Sequence, residues 1–420
     1  MMRLAVIFES SPFDRKGLFN AVHNRVKHLL ATGECSVDVF CVHSRDNAFT
    51  RRVRHTPEVP SVDETVVDGI RYRLLWYRFS ILDNVLLEKL NVRPWLFRRF
   101  MESHVDLLKG YDAVIAHSFC GGLFALAAYE RFGVPYYVTW HGSDVHTHPW
   151  RVPVILEDTR AVMESARCNF FVSRALLDAS ERRITSNARK EVLYNGVSED
   201  FVKYSPEQRA AVRERYGLSA EDKVVAFVGN LVTVKNVLSL PEIFAQVASR
   251  FAEVSGTLSD SGGRSGRLKF WIVGDGKLRT QLETACSESL TRHCEDRTPL
   301  RHCEERSDVA ISFFGNQPSP AMPDIMNCID VLVLPSLNEG LPLVCAEALS
   351  CGAAVVGSDV GGIAEVIGSE NVVPLGDSFV NGMAEKIVAA LLAQSPSQTL
   401  PADISWSRTA AQELAALKSL

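Results

Sequence analysis

The sequence predicts an α/β chain built of two doubly wound, Rossmann-like parallel sheets, one after the other. Three observations predict it. The chain has 420 residues, too many for one ordinary core and suited to two domains of about 200 each. Short apolar runs recur along it (Leu4–Phe8, Ala113–Ala116, Val224–Val228, Val331–Leu334), each suited to a strand buried on both faces. Amphipathic stretches separate them, beginning with Leu18, Val22, Val26, Leu29 and Leu30 on one side of a helix. The same strand–helix rhythm restarts after about residue 200.

Composition narrows the function classes. A hydrophobic fraction of 46% is that of a globular protein, and a net charge of -5 gives no reason to expect nucleic acid as a partner. The ten cysteines are scattered, without a small disulfide framework, which points to a reducing, cytoplasmic compartment. The N-terminus runs straight into a strand, with no visible targeting segment. No apolar run reaches the roughly 18–20 residues of a membrane span.

In chain order, strand Leu4–Phe8 passes through a polar loop, Ser10–Gly17, into helix Leu18–Leu30. Gly33 closes that helix, and strand Ser36–His43 follows. Of the segment Arg51–Trp76, only the start of a strand, Ile70–Tyr77, is placed, after an Asp68-Gly69 turn. Leu90–Leu108 mixes apolar residues with Arg93, Arg98 and Arg99, flanked by Lys89 and Lys109. Two readings stand: a basic amphipathic helix on an anionic membrane or lipid-linked acceptor, or a solvated helix face whose charge Glu102 and Asp106 dilute. Strand Ala113–Ala116 ends in His117, and Gly121 and Gly122 open the next helix. Strand Tyr136–Trp140 runs into His141-Gly142-Ser143-Asp144. Functional loops of such sheets lie at the carboxyl ends of strands, which singles out His117 and His141. His146 and His148 complete a trio with His141, but no carboxylate or Cys spacing supports a metal site. Asn169–Val172 is a strand, Ser173 starts a helix, and Val192–Val197 is a strand and turn before a linker near Ser198–Pro206.

In the second half, strand Val224–Val228 leads to Gly229, Asn230 and Lys235, and helix Val237–Phe251 follows. Ser255–Arg267 is Gly/Ser-rich and reads as a loop. Strand Leu268–Val273 ends in Gly274-Asp275-Gly276. This lacks the last glycine of a dinucleotide fingerprint, because Arg279 stands there. In Leu290–Asp308, Arg292–Arg297 recurs as Arg301–Arg306, which reads as an inserted surface loop. A zinc site from His293, Cys294, His302 and Cys303 is the alternative, without the usual ligand spacing. Strand Ile311–Phe314 and helix Pro323–Cys328 lead to the segment on which the function turns.

That segment is Val331–Ile367. Pro335 stops the strand Val331–Leu334, and Asn338 is the expected N-cap of a helix running from Glu339 or Gly340 to Ser350. Gly352 closes it in the left-handed conformation, and Ala353–Gly357 is the next strand. On such a helix Glu339 and Glu347 lie within about 80° of each other and roughly 12 Å apart along the axis. Free N–H groups around Gly340, Leu341 and Leu343 favour an anion between them. A diphosphate there, with a sugar near Glu339 and a ribose near Glu347, describes a nucleotide sugar. The plain alternative is a strand–helix–strand unit with two surface glutamates.

Residues 339–367, EGLPLVCAEALSCGAAVVGSDVGGIAEVI, resemble the signature of the retaining nucleotide-sugar glycosyltransferases of family 4, which have the GT-B fold. The Glu–seven–Glu spacing, the GLP turn and the Gly361-Gly362-x-x-Glu365 element match together. The resemblance implies two Rossmann-like domains facing across a cleft. Residues 1–200 form the acceptor side and 201–400 the donor side, with an insertion at about 290–308, and 401–420 end in a helix crossing back. It implies His141 and Glu339 as catalytic residues. It places Lys235, Asn230, Gly340, Leu341, Leu343, Glu347, Gly274 and Gly17 at the donor, and His117 and Asp144 on the acceptor side. It implies a hexosyltransferase (EC 2.4) without metal or other cofactor, acting on a saccharide or lipid-linked acceptor in surface polysaccharide or glycolipid biosynthesis, in the cytoplasm or peripherally at the inner membrane face.

Two positions depart from the family pattern. Asn230 stands where the family has an arginine on the diphosphate. Charge-assisted hydrogen bonds exceed neutral ones by about 1 kcal/mol, so donor affinity at that contact falls several-fold. Gly17 stands alone where a glycine pair is usual. The rival readings are a degenerate, non-catalytic sugar-nucleotide-binding protein, a sugar-nucleotide epimerase on the same architecture, and a dehydrogenase.

Overall fold

Two parallel sheets organise the chain, in a computed structural model that describes all residues except 14–16, 46–51, 53–57, 79–80, 185, 259–266, 296–309, 394–397 and 420. The chain divides into two units, residues 1–196 with 405–420 and residues 197–404.

The first unit holds eight strands: β1 (Met2–Glu9), β2 (Cys35–Ser44), β3 (Glu64–Val67), β4 (Ile70–Tyr77), β5 (Ala113–His117), β6 (Tyr136–Trp140), β7 (Cys168–Phe171) and β8 (Lys190–Val192). Their order is β3-β4-β2-β1-β5-β6-β7-β8, parallel except for the edge hairpin β3–β4. The central strands are apolar throughout because helices cover both faces of the sheet, and Leu4 to Phe8 and Ala113 to Ala116 are fully buried. Helix Gly17–Ala31 lays Phe19, Val22, Val26 and Leu29 into that core. The C-terminal helix, Trp406–Lys418, packs against the same helix with Ala410, Leu414 and Leu417. Ser173 caps helix Arg174–Glu181 through the Leu176 N–H, a contact worth about 1 kcal/mol.

The second unit holds β9 (Lys223–Val228), β10 (Leu268–Val273), β11 (Ala310–Gly315), β12 (Val331–Leu334), β13 (Ala354–Ser358) and β14 (Val372–Val373). Their order is β11-β10-β9-β12-β13-β14, all parallel.

Several sequence expectations are corrected. The Leu90–Leu108 helix is two helices, Ile81–Leu90 and Trp95–His104, with the 3₁₀ turn Val105–Leu108 after them. Asn91 sits in the left-handed region at φ 55° and Pro94 precedes the second helix, so no single helix passes through. Strand β8 ends at Val192, where a strand start was expected. The helix before the Gly/Ser-rich segment runs to Leu258, past the expected loop start at Ser255. Helix Arg279–Glu295 likewise runs into the expected insertion, the rest of which lies outside the described residues. Hairpin strand β3 was not foreseen: it is short, exposed on alternate residues, and carries no apolar run.

Candidate functional site

Strand order places the site before any side chain does. In the second unit the chain leaves β9 for β10 and β11 on one side, while β12 to β14 lie on the other. Loops leaving neighbouring strands of this kind diverge at their carboxyl ends and open a crevice. Two of the expected site residues, one catalytic and one donor-binding, meet there. Lys235, in the 3₁₀ turn Thr233–Lys235 after β9, donates from Nζ to Glu339 Oε1 at 2.5 Å. Ser336, buried after β12, donates its hydroxyl to the same oxygen at 2.7 Å. The side chains of Lys235 and Glu339 are 22% and 11% exposed, so their attraction is screened less than that of a surface pair. The two loops are also tied through the backbone, Leu337 N to Val234 O at 2.8 Å.

The helix of this segment begins at Leu343, not at Glu339 or Gly340. Pro342 is its N-cap residue, in an extended conformation and without a side-chain cap; Asn338 has no such role. Gly340 and Leu341 therefore belong to the loop before the helix, and the helical spacing expected between Glu339 and Glu347 does not exist. The free amides remain. Among the described residues, the N–H groups of Gly340, Leu341 and Leu343 meet no acceptor. Beyond the helix, Gly352 adopts φ +86°, as a left-handed closing residue should.

A glycine holds Glu339 in place. Gly361 has φ +53°, and a Cβ on it would stand 1.9 Å from the Glu339 carbonyl oxygen. Gly362 N donates to Gly340 O at 3.1 Å, so the two backbones lie against each other. Gly274 makes a similar close approach: a Cβ there would stand 2.0 Å from Gly229 O. The backbone pairs Gly229 N–Val273 O and Leu231 N–Asp275 O, both at 2.9 Å, bracket Asn230. Asn230 itself is exposed, and its side chain has no partner among the described residues.

Glu347, within helix Leu343–Ser350, is only partly exposed, and its carboxylate has no hydrogen-bond partner among the described residues. Burial raises its pKa to about 7, since removal from water disfavours the charged form.

In the first unit the corresponding reversal of strand order falls between β1 and β5. Gly17, after β1, is the first residue of its helix, and a Cβ there would meet nothing within 4 Å. His117 ends β5 and is 1% exposed. Its Nδ1 lies 3.1 Å from Nε2 of His141, and its own Nε2 is buried without a partner. Desolvation, with Arg25 second, lowers the pKa of His141 to about 3 and that of His117 well below the ordinary value. Both imidazoles are therefore neutral at pH 7. Asp144 turns inward, accepting from the Gly142 N–H at 2.8 Å and the His141 N–H at 3.3 Å; it shapes the loop that carries His141.

Sequence reading missed Ser336, Arg25 and Glu413. The spacing Ser336-x-x-Glu339 was a signal, because a hydroxyl three residues before a carboxylate marks a capping box, in which each side chain bonds the other residue's backbone N–H; here the two side chains bond directly. Arg25 sits on the apolar stripe formed by Val22, Val26 and Leu29, and Glu413 on that of Ala410, Leu414 and Leu417. A charge on a buried stripe is a detectable anomaly. Among the described residues no group of His, Cys, Asp or Glu is arranged to hold a metal ion, and the zinc alternative falls on side chains outside that set. The described cysteines are free and buried.

Comparison with known proteins adds a lineage. The family described as "Glycosyl transferases group 1" matches residues 222–393, and "Glycosyl transferase 4-like domain" matches residues 17–196. A Bacillus subtilis protein named as a teichuronic acid biosynthesis glycosyltransferase, TuaC, is 26% identical over 64% of this chain and 57% of its own length. The chain thus spans little more than half of that relative. Sucrose-phosphate synthase from Thermosynechococcus elongatus superimposes with a TM-score of 0.65 at 19% identity, covering 100% of this chain and 95% of that one. Anabaena HepE, in a structure with UDP and glucose, gives 0.63 at 16% identity, with 100% of both chains covered. These two structures bear on the fold alone. They assign the pair of parallel-sheet units to the GT-B type.

Proposed function

This chain belongs to the group 1 glycosyl transferases, and we propose that it moves a sugar, with retention of anomeric configuration, from a nucleoside-diphosphate sugar to a saccharide or lipid-linked acceptor. One observation carries the reading: the enclosed Lys235–Glu339 pair stands beside free amides at the carboxyl edge of the second sheet. A cation and unpaired N–H groups suit a diphosphate, and a carboxylate with only one oxygen engaged suits sugar hydroxyls.

In this reading the diphosphate takes Lys235 and the amides of Gly340, Leu341 and Leu343. Negative charge grows on the leaving phosphate as the glycosidic bond breaks, and these donors stabilise it in place of a metal. Glu339, released from Lys235, accepts from hydroxyls of the sugar, and Glu347 accepts from the ribose diol. Gly274 keeps the neighbouring turn low, and Asn230 gives a neutral contact where a charged one is usual. His141, with His117 behind it, is the catalytic histidine of this reading, with a neutral imidazole. Asp144 fixes its loop. The absence of an assigned covalent nucleophile favours front-face displacement.

That TuaC is named for teichuronic acid biosynthesis supports a role in surface polysaccharide or glycolipid assembly. Leu82, Val85, Leu90 and Trp95 are exposed on helices Ile81–Leu90 and Trp95–His104, which supports a peripheral membrane contact. That contact is apolar rather than electrostatic, since Arg93 is paired with Glu157 and Asp158, and Arg98 with Glu102. No described helix is long and apolar enough to cross a membrane.

The test is a screen of nucleotide sugars with saccharide acceptors, read by product analysis. Free nucleoside diphosphate should appear only together with transferred sugar, in the α or β configuration of the donor. Glu339→Ala should abolish transfer; unchanged turnover in that variant sinks the assignment.

A further inference from the structure

The Arg25–Glu413 pair lies in the interior of the first unit and has no part in the donor site. Arg25 is 1% exposed and Glu413 0%, and Nη1 of Arg25 lies 3.6 Å from Oε1 of Glu413. Neither carboxylate oxygen of Glu413 has a hydrogen bond in the described structure. A buried ion pair is rarely a stability device, because well-packed apolar residues of the same volume do as well or better. Its geometry points elsewhere. Arg25 Nη1 also donates to the Thr139 hydroxyl at 2.6 Å, and Nη2 to Asn195 Oδ1 at 3.4 Å. Thr139 is the register partner of His117 across β5 and β6. Register partners on neighbouring parallel strands project to the same face, and so does the residue two positions on. Arg25 therefore reaches the sheet on the face, and at the strand ends, from which His117 and His141 project.

We propose that Arg25, anchored by Glu413 of the C-terminal helix, is a positioning residue for the His117–His141 pair: it fixes the strand ends through Thr139 and, as a permanent positive charge in a desolvated site, adds to burial in opposing protonation of the imidazoles. Guanidinium does not lose its proton in proteins, so the charge is constant across the working pH range. Other groups around the pair do not replace it. Asp144, from the loop of His141 itself, spends its oxygens on backbone N–H groups. Cys120, at the start of the helix after His117, is buried and its thiol is held protonated, first by desolvation and then by Glu9 of β1. Burial is the larger force against protonation of His141, and Arg25 is the charged group that adds to it. The C-terminal helix thus acts on the histidine loop through one guanidinium. The catalytic meaning of this rests on the function proposed above, but the charge state of the pair does not.

The experiment reads that charge state directly. Full-length protein labelled on histidine is titrated by NMR from pH 8 to 4.5, with His117 and His141 assigned from single His→Gln variants. The double variant Arg25→Met/Glu413→Leu removes both charges and keeps the volume. With His141 at about 3 in the parent, roughly 3% carries a proton at pH 4.5; loss of Arg25 should raise the midpoint by about one unit and that fraction to roughly a quarter. A folded double variant whose imidazole signals follow the parent curve overturns the proposal and leaves the pair a packing feature. If the double variant does not fold, Glu413→Gln decides. It leaves Arg25 unbalanced, so protonation at pH 4.5 must not rise, and a rise overturns the proposal. Failure of transfer with every donor would refute the function and leave these titrations unaffected.

Discussion

Glu339 and Glu347 are carboxylates of one short segment, and their surroundings divide them. Glu339 is oriented by Lys235 and Ser336, which both donate to its Oε1. Glu347 is partly buried and has gained no partner among the described residues, so its pKa rises from the ordinary 4.5 to about 7. The sign follows. Between about pH 4.5 and 7 the folded state holds a proton on Glu347 that the unfolded state has released, so this group's contribution to stability falls as pH rises through that window. Ligand binding runs the other way, because a diol needs the ionised acceptor. Affinity for a nucleoside diphosphate should therefore increase from pH 6 to pH 8, and Glu347→Gln should flatten that rise while raising stability above pH 7. Calorimetric titration at several pH values checks both; a parent whose affinity falls with pH would remove Glu347 from the ribose. The sequence singled out these two residues on a helical spacing that the fold does not keep. Their unequal environments were not legible in it, since burial depends on residues far away in the chain.

At the scale of elements, the segment from Pro335 to Pro342 shows why reading stopped short. The sequence reading let the helix start at Glu339 or Gly340, with Asn338 as its N-cap. The extended Pro342 and the backbone contact with Gly361-Gly362 hold the chain out of the helix until Leu343. The loop is thus shaped by a turn more than twenty residues downstream. Gly361→Ala tests this. The new methyl meets a carbonyl oxygen at 1.9 Å in a backbone region that only glycine adopts freely, so the loop of Glu339 must move. Expected are a stability loss of about 1–3 kcal/mol and a fall in transfer larger than that loss explains. Unfolding and activity measured on the same preparation separate the two, and full activity would show that the turn does not position Glu339. The buried strands, by contrast, were legible because both faces are covered and their apolar runs are continuous, as in Val224–Val228 and Val331–Leu334.

At the scale of the molecule, the residues assigned to the donor, apart from Gly17, belong to the second unit, and the histidines belong to the first. A nucleoside diphosphate should therefore act on one sheet's carboxyl edge. At a hundred times its dissociation constant it stabilises the state it binds by about 2.7 kcal/mol. Hydrogen exchange should slow at Gly340–Leu343 and Thr233–Lys235 and remain unchanged at β1 and β2 of the first unit. Equal protection of both regions would refute a donor site built by the second unit. The C-terminal helix adds the contribution that only the whole chain makes. Residues 405–420 belong to the first unit, although the entire second unit separates them from it in sequence.

The sequence by itself determined the two-sheet α/β class, the strands with continuous apolar runs, and the family signature from Glu339 to Ile367. These are local: each rests on residues close together in the chain, where periodicity and spacing are visible. Tertiary structure alone decided that Lys235 and Glu339 pair across the ends of β9 and β12, that the helix after β12 starts at Leu343, and that Glu347 is partly buried with a raised pKa. It alone brought Glu413 from the last helix to Arg25 in the first, beside the strand ends that carry His117 and His141. Charge and burial at a site are set by what the fold brings near, and a linear spacing does not hold that information.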